Sequence, residues 1–371
     1  MSKEAIWDIA AHTSVKHDLL RTYLGAWFPI LGKFNRRVVF MDGFAGPGRY
    51  LNGEPGSPAI ALGTFLDHNY AANLSGTEYI FVFTENHAER FASLEQVVEA
   101  ERVARGGWPE HVKVIVENKN FTEVAEDILG SLGHKDLAPT FAFLDPFGYK
   151  DVPMDVIRRL MSYSKSELFI YFDINSLNRF ATAGQQVDVH FEALYGTTEF
   201  KNAPAAGDPG RQQFLHDLYE RQLKNVCGFK HVRSFEMLGA NGKAINYLFF
   251  CTNSSVGFDR MKGAMWKAAP SGDFRFRDSL GGQPVLFQPE PDTAPLQSQL
   301  LETFAGKTVD ISTLADFVVT STPYVSSHLK TRTLVPLQLA GKISSPNQRR
   351  PKQFPPGTQV TFPSLPAIAT D

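Results

Sequence analysis

Arg36-Arg37-Val38-Val39-Phe40-Met41-Asp42-Gly43-Phe44-Ala45-Gly46-Pro47-Gly48 decides the fold of this chain of 371 residues. A run of β-branched and aromatic residues ends in an acid and then in three glycines within six positions. That is the pattern of a buried parallel strand turning sharply so that a nucleotide-like ligand can lie against bare backbone. A dinucleotide fingerprint needs G-x-G-x-x-G with its helix starting at once, because the helix N-terminus meets a pyrophosphate. Here the order is G-x-x-G-x-G, an acid precedes it, and Pro47 delays the helix. An Asp ahead of such a turn suits a ligand carrying an amine and hydroxyls better than one carrying phosphates.

Upstream, residues 5–34 read as a helix with Leu19, Leu20, Tyr23, Leu24, Trp27 and Phe28 at helical spacing. Lys16, His17, Asp18 and Arg21 fall on the other face, the solvent side of a helix covering the sheet, unless Lys16 or His17 faces a ligand. Downstream, Arg49 to Gly56 is a polar, glycine-rich loop, long for a strand-to-helix connection and a candidate lid. Ser57-Pro58 then reads as an N-cap with Pro at the first helical position.

The strand-helix rhythm repeats. Glu78–Glu85 is a second strand ending in an acid, and Glu85 has the chemistry to accept both hydroxyls of a ribose. A third strand, Val112–Val116, leads to Asn120 and Glu123, spaced as a capping box. Glu117-x-Lys119 also fits half of a metal-dependent nuclease site, but that needs an antiparallel core, and the alternation of strands and helices argues against it. The fourth strand, Thr140–Leu144, runs into Asp145-Pro146-Phe147-Gly148. Open α/β sheets bind ligands at this carboxyl edge. A carboxylate beside an aromatic ring there suits methyl transfer to nitrogen; the alternative is a structural turn with Phe147 in the core. Leu168–Asp173 is a fifth strand.

Residues 175–225 read as a helical insertion over the rim of the site. His231–Leu238 and Lys243–Thr252 read as a hairpin across Gly239-Ala240-Asn241-Gly242. Phe258–Lys267 is a further helix. Residues 270–295, rich in Pro and Gly, read as a linker. Beyond them come three short helices and a basic turn, Arg349-Arg350-Pro351-Lys352. Pro336 is placed to interrupt the third helix near its end. Residues 296–371 carry seven Lys/Arg against four Asp/Glu, mildly basic, which suits a DNA contact or a protein contact.

Composition sets bounds on all this. Hydrophobic content of 43% and charged content of 20% are those of a globular chain with a sizeable core. A formal net charge of −2 means that any nucleic-acid contact must come from a local patch. Cys227 and Cys251 are the only cysteines, which excludes a disulfide framework and a cysteine zinc site and fits a reducing cytoplasm. No run is apolar for long enough to suggest a membrane partner.

Asp42-Gly43-Phe44-Ala45-Gly46-Pro47-Gly48 resembles the S-adenosylmethionine (SAM) turn of many class I methyltransferases. Taken with Lys16-His17, Tyr23, Trp27, Arg49-Tyr50, Gly56-Ser57-Pro58 and Asp145-Pro146-Phe147-Gly148, the chain resembles the three-Cys-motif partner protein family over nearly its whole length. The resemblance implies a Rossmann-like class I methyltransferase sheet with a terminal antiparallel hairpin at 1–269 and a winged helix-turn-helix domain at 296–364. It implies SAM as cofactor, with Asp42, Gly43, Phe44, Ala45, Gly46 and Gly48 forming the turn. Asp42 would meet the amino acid part, Glu85 the ribose, and Asn120 the adenine, with Asp145 beside them. Asp145, Pro146 and Phe147 match the catalytic motif of amino-methyltransferases, which usually carry a second Pro and an aromatic fourth residue where this chain has Phe147-Gly148. Asp145 would orient the amine, with Phe147 against the substrate and Asp173 in support. The expected activity is SAM-dependent methylation of a nucleic acid or a protein amine. The alternative is a non-catalytic SAM-binding adaptor for the family's partner, a radical-SAM-like protein that carries the three cysteines.

Overall fold

The structure, a computed structural model, describes residues 11–133, 136–180, 185–239, 242–277 and 290–364. The chain divides into two compact units, Met1–Gly257 with Arg275–Gln283, and Phe258–Phe274 with Pro284–Asp371.

In the first unit, β1 (Arg37–Asp42), β2 (Glu78–Thr84), β3 (Val112–Glu117), β4 (Thr140–Leu144), β5 (Glu167–Phe172), β6 (His231–Leu238), β7 (Ala244–Thr252) and β8 (Arg275–Arg277) form one sheet. The strand order is β3-β2-β1-β4-β5-β7-β6-β8. The first five strands are parallel, and β7 joins β5 antiparallel and pairs with β6 as a hairpin. Five parallel strands followed by a hairpin is the plan expected from sequence, a mixed α/β, Rossmann-like sheet. Of the turn joining β6 and β7, Ala240 and Asn241 lie outside the described residues. One strand departs from expectation: Arg275–Arg277, within the expected linker, pair parallel to β6. Residues 278–289 of that stretch lie outside the described residues.

Helices α1 (Ala11–Gly32), α2 (Ser57–Leu66), α3 (Ala88–Ala104), α4 (Phe121–Leu132) and α5 (Met154–Leu160) accompany the parallel strands. The strands look uniformly apolar in sequence, yet their two faces differ. Val39, Met41, Ala142, Leu144, Leu168 and Ile170 belong to one cluster together with residues of α4 and α5. Phe40, Phe81 and Phe141 form an aromatic layer with α1 and α2, in which Phe40 stacks on Phe141 at 6.0 Å, Tyr23 meets Phe141 at 5.4 Å and Phe65 meets Phe81 at 5.8 Å. The strand period of two separates rings from aliphatic chains. The buried Glu167 carboxylate, at the start of β5, accepts from Tyr23 Oη at 2.6 Å and from Thr252 Oγ1 at 2.6 Å, fastening α1 to β5 and β7. The expected insertion is α6 (Ile174–Phe180), α7 (Gln185–Tyr195) and α8 (Arg211–Asn225). Phe191, Tyr195 and Tyr219 are buried beside Phe172 and Phe249, so α7 and α8 complete a core layer, and α6 alone of the three reaches the main cavity.

Most of α9 (Ser255–Ala268), expected to close the first domain, groups with the second unit. The reason is Lys262, whose buried ammonium donates to the carbonyls of Val319 at 2.7 Å and Thr322 at 2.9 Å, and also to that of Tyr324. These carbonyls lie at and beyond the C-terminal end of a helix, where a cation is favoured. The second unit runs α10 (Ala294–Thr303), β9 (Thr308–Asp310), α11 (Ile311–Ser321), α12 (Ser326–Leu329), α13 (Val335–Leu339) and β10 (Gln359–Thr361). A π turn, Lys330–Leu334, joins α12 to α13 just before Pro336, whose missing N–H disturbs the helical ladder. β9 and β10 pair antiparallel, and Ser344 bridges to Thr361.

The chain leaves β1 for β2 and β3, then returns to β4 on the other side of β1. That reversal opens a crevice at the carboxyl ends of β1 and β4. Gly43 stands at its base, where its N–H donates to Phe143 O at 3.0 Å and its carbonyl accepts from Thr84 Oγ1 at 2.7 Å. A Cβ on Gly43 would lie 2.6 Å from Leu144 and 2.8 Å from Phe121. Gly43→Ala is therefore expected to lower the unfolding free energy by about 1–3 kcal/mol in urea titrations. At Gly46, φ is +62° and a Cβ meets nothing within 4 Å. Gly46→Ala is expected to cost the backbone term alone, about 1–2 kcal/mol. A neutral Gly43→Ala would show that the turn is not packed as described.

Candidate functional site

A cavity of about 770 Å³ opens at the carboxyl end of the sheet. Its wall takes Phe44, Ala45, Gly46 and Gly48 from the turn after β1, Asp145, Pro146 and Phe147 from the turn after β4, and Asp173 from the end of β5. The structure thus gathers most of the predicted site residues, from three separate strand ends, around one space.

Asp42 and Gly43, just before Phe44 in the chain, do not themselves line the cavity, and Asp42 is fully buried. Its Oδ1 accepts from the Phe44 N–H at 3.1 Å, while Oδ2 has no hydrogen-bond partner. Burial lifts its carboxyl to about 7; the Ser57 hydroxyl and the Phe44 N–H pull the other way, Asp145 adds to the rise, and Lys16 opposes it. A rise from the ordinary range to about 7 corresponds to roughly 4 kcal/mol against the charged form. Ser57, expected to be the N-cap of α2, instead follows the capping position, which Gly56 holds without a side-chain bond. Its hydroxyl lies near enough to the Asp42 carboxyl to favour the charged form, without filling Oδ2.

Asp145 is engaged by Lys16, whose side chain is 7% exposed and whose ammonium also lies 5.3 Å from the Tyr171 ring centroid. The alternative raised for Lys16 is therefore the arrangement found, and Lys16 lines the cavity. His17, at first placed with it on a solvent face, is also buried. Burial and then the Lys16 and Arg21 charges push its imidazole down to about 3, so it is a neutral ring, packed 5.7 Å from Tyr50. The Tyr171 hydroxyl is raised by burial and then by Asp173 and Asp145. Asp173 accepts from the N–H of Ser176 at 3.0 Å and from its hydroxyl at 2.5 Å, capping α6 while facing the cavity.

Phe147 is 53% exposed with the Arg90 guanidinium 5.0 Å from its ring centroid, which removes the core-packing alternative. The candidate lid is a closed turn rather than an open loop. Arg49 bridges to Pro55, Tyr50 N donates to Glu54 O at 3.0 Å, and Gly56 N donates to Gly48 O at 2.9 Å. Arg49, Tyr50 and Gly56 line the cavity.

Besides Asp42 and Gly43, two more predicted contacts lie outside the cavity wall. Glu85 is buried at the end of β2 with Oε1 accepting from His87 N at 2.7 Å, outside the cavity wall. Asn120 forms the expected capping box with Glu123 and lines a second cavity of about 310 Å³. Tyr149 and Lys150 line both cavities. Sequence pattern did not single out Tyr149, Lys150, Tyr171, Ser176, Arg179 or Phe180. The one available signal was Tyr171, a hydroxyl-bearing residue near the end of an otherwise apolar strand.

The donor set fits SAM on two counts. Asp42 Oδ2 is a buried acceptor with no protein donor, suited to an amine, and the backbone at Gly46 leaves open space where a side chain would stand.

No protein-family model matches the chain, and no curated protein matches it. Among solved structures, the chain is similar to human methyltransferase-like protein 13 in complex with SAH, at 10% identity and a TM-score of 0.35 over 69% of this chain and 91% of that one. It is similar to the N-terminal domain of human METTL16 in complex with SAH, at 10% identity and a TM-score of 0.29 over 63% and 70% of the two chains. It is also similar to the plantazolicin methyltransferase BpumL in complex with SAH, at 11% identity and a TM-score of 0.27 over 65% and 86%.

Proposed function

We propose that this chain is a SAM-dependent methyltransferase acting on a macromolecular substrate, a nucleic acid or a protein amine. The carrying observation is the fully buried Asp42 with its unfilled oxygen, set under an open glycine turn at the same strand edge as Asp145. A bound SAM supplies an activated methyl group, so the protein has only to align the acceptor and take up a proton. Asp42 holds the cofactor's amine, and Gly43 to Gly48 leave its path clear. Glu85 takes the ribose, with Asn120 toward the adenine. Asp145 orients the acceptor amine and receives its proton, with Lys16 fixing the carboxylate in place and Asp173 in support. Phe147, held at the mouth, packs on the substrate.

In the same reading the second unit is a winged helix-turn-helix: three helical segments, then the Arg349–Lys352 turn between the Ser344 bridge and β10. The chain is then a member of the three-Cys-motif partner family, working beside a radical-SAM-like protein. One observation favours the adaptor alternative. The Lys16 ammonium already engages Asp145, the place a substrate amine would take.

Calorimetric titration with SAM is expected to show saturable binding that falls at least 100-fold in Asp42→Ala. The sign of its pH dependence follows from Asp42. The free carboxyl titrates near 7, and a cationic amine beside it favours the charged form. Binding at pH 6 is therefore expected to release a proton to the buffer, while at pH 8 the carboxyl is mostly ionised already, that release falls away, and the partly neutral amine of SAM takes up a proton instead. Absence of binding by the intact protein contradicts the proposal. Transfer of a tritiated methyl group from SAM into nucleic acid or lysate protein is expected, with Asp145→Asn slower by about 10²-fold or more. SAM binding without transfer, and stable co-purification with the radical-SAM-like partner, selects the adaptor.

A further inference from the structure

The cavity wall carries more positive charge than SAM needs. Arg49 on the closed turn, Lys150 after β4 and Arg179 on α6 are all exposed and all line it. None of the three pairs with a carboxylate among the described residues. The carboxylates on the same wall are occupied, Asp145 by Lys16 and Asp173 by Ser176. In a chain of net charge −2, this is a local excess of cations. One carboxylate, as on an amino acid, requires one such partner. Three cations without a carboxylate partner among the described residues, on three separate segments, match a ligand with anions repeated along its length.

Rings stand among them. Phe147 is 53% exposed, with Arg90 near its face, and Tyr149 and Phe180 also line the cavity. Cations that track a backbone, with rings between them, form the recognition chemistry of single-stranded nucleic acid, since every base has a face that stacks. An acidic peptide satisfies the cations but brings no flat base to the exposed Phe147 ring. We infer that the methyl acceptor is a base of a single-stranded nucleic acid, which enters beside Phe147 while its phosphates lie along Arg49, Lys150 and Arg179. This deepens the methyltransferase reading and rests on it for the chemistry, but binding of the strand is testable apart from the cofactor.

The test is fluorescence anisotropy of the full chain with short labelled single strands of DNA and of RNA, over a range of salt. Each phosphate contact contributes about 0.7 to the slope of log K against log salt for a single strand. The combined variant Arg49→Gln, Lys150→Gln, Arg179→Gln is expected to lower the slope by about 2 and to weaken binding in low salt at least tenfold. Arg179→Lys, which keeps the charge, is expected to retain the wild-type slope. Phe147→Ala is expected to weaken binding about tenfold with the slope unchanged, since stacking carries no counterion. Thermal melting confirms that each variant is folded. An Arg349→Gln, Arg350→Gln variant serves as a control for binding through the second unit. Wild-type slope and affinity in the combined cavity variant overturn the inference, as does equal competition by a polyglutamate peptide. SAM titrations keep the two claims apart. SAM binding with no strand binding overturns the inference alone, and cavity-dependent strand binding with no SAM binding overturns the cofactor reading alone.

Discussion

Everything at the site depends on a carboxyl group forced into the sheet. Asp42 ends β1 between β2 and β4, so neither its backbone nor its side chain can reach water. Gly43 makes this burial feasible, because its missing Cβ lets Phe121 and Leu144 close over the strand end. The acid is left with one donor on Oδ1 and none on Oδ2. A buried oxygen without a partner costs free energy that folding alone does not recover. In the proposed function, the amine of the cofactor supplies the missing donor.

The long first helix sets the other half of the geometry. At one end, Lys16 reaches Asp145; two turns later, Tyr23 donates to Glu167. One element therefore touches the ends of β4 and the start of β5, and it fixes a cation beside the candidate catalytic acid. Lys16 and Asp145 both act on the Asp42 carboxyl, with opposite signs. The three groups form one electrostatic unit drawn from three distant parts of the chain.

The five parallel strands were legible because each is an apolar run, broken in β3 only by Lys113, and all five lead into an acid at or just past the end. The capping box at Asn120 and Glu123 was equally legible, since it is local. What escaped were features fixed by distant partners. Lys16 and His17 look like solvent-face residues by helical spacing, and only Asp145, 129 residues from Lys16, draws the ammonium inward. β8, Arg275-Phe276-Arg277, is too short for its alternation to mark a strand, and it pairs along the β6 edge. Phe258–Lys267 reads as the last helix of the α/β domain until Lys262 is seen capping carbonyls of the second unit. Local pattern carries propensity and periodicity; it does not carry the pairing of charges across the sheet.

A buried acid before a glycine turn, a paired acid on the next strand and a rim of cations and rings are the features on which the proposed methyl transfer rests. The central claim is that burial raises the Asp42 carboxyl and that a cationic amine beside it lowers it again. Carboxyl ¹³C NMR of the full chain, titrated with and without SAM, tests this most directly. The account expects Asp42 to titrate near 7 in the free protein and to fall toward the ordinary carboxylate range when SAM is added. A resonance that titrates in the ordinary range and does not move with SAM would contradict it.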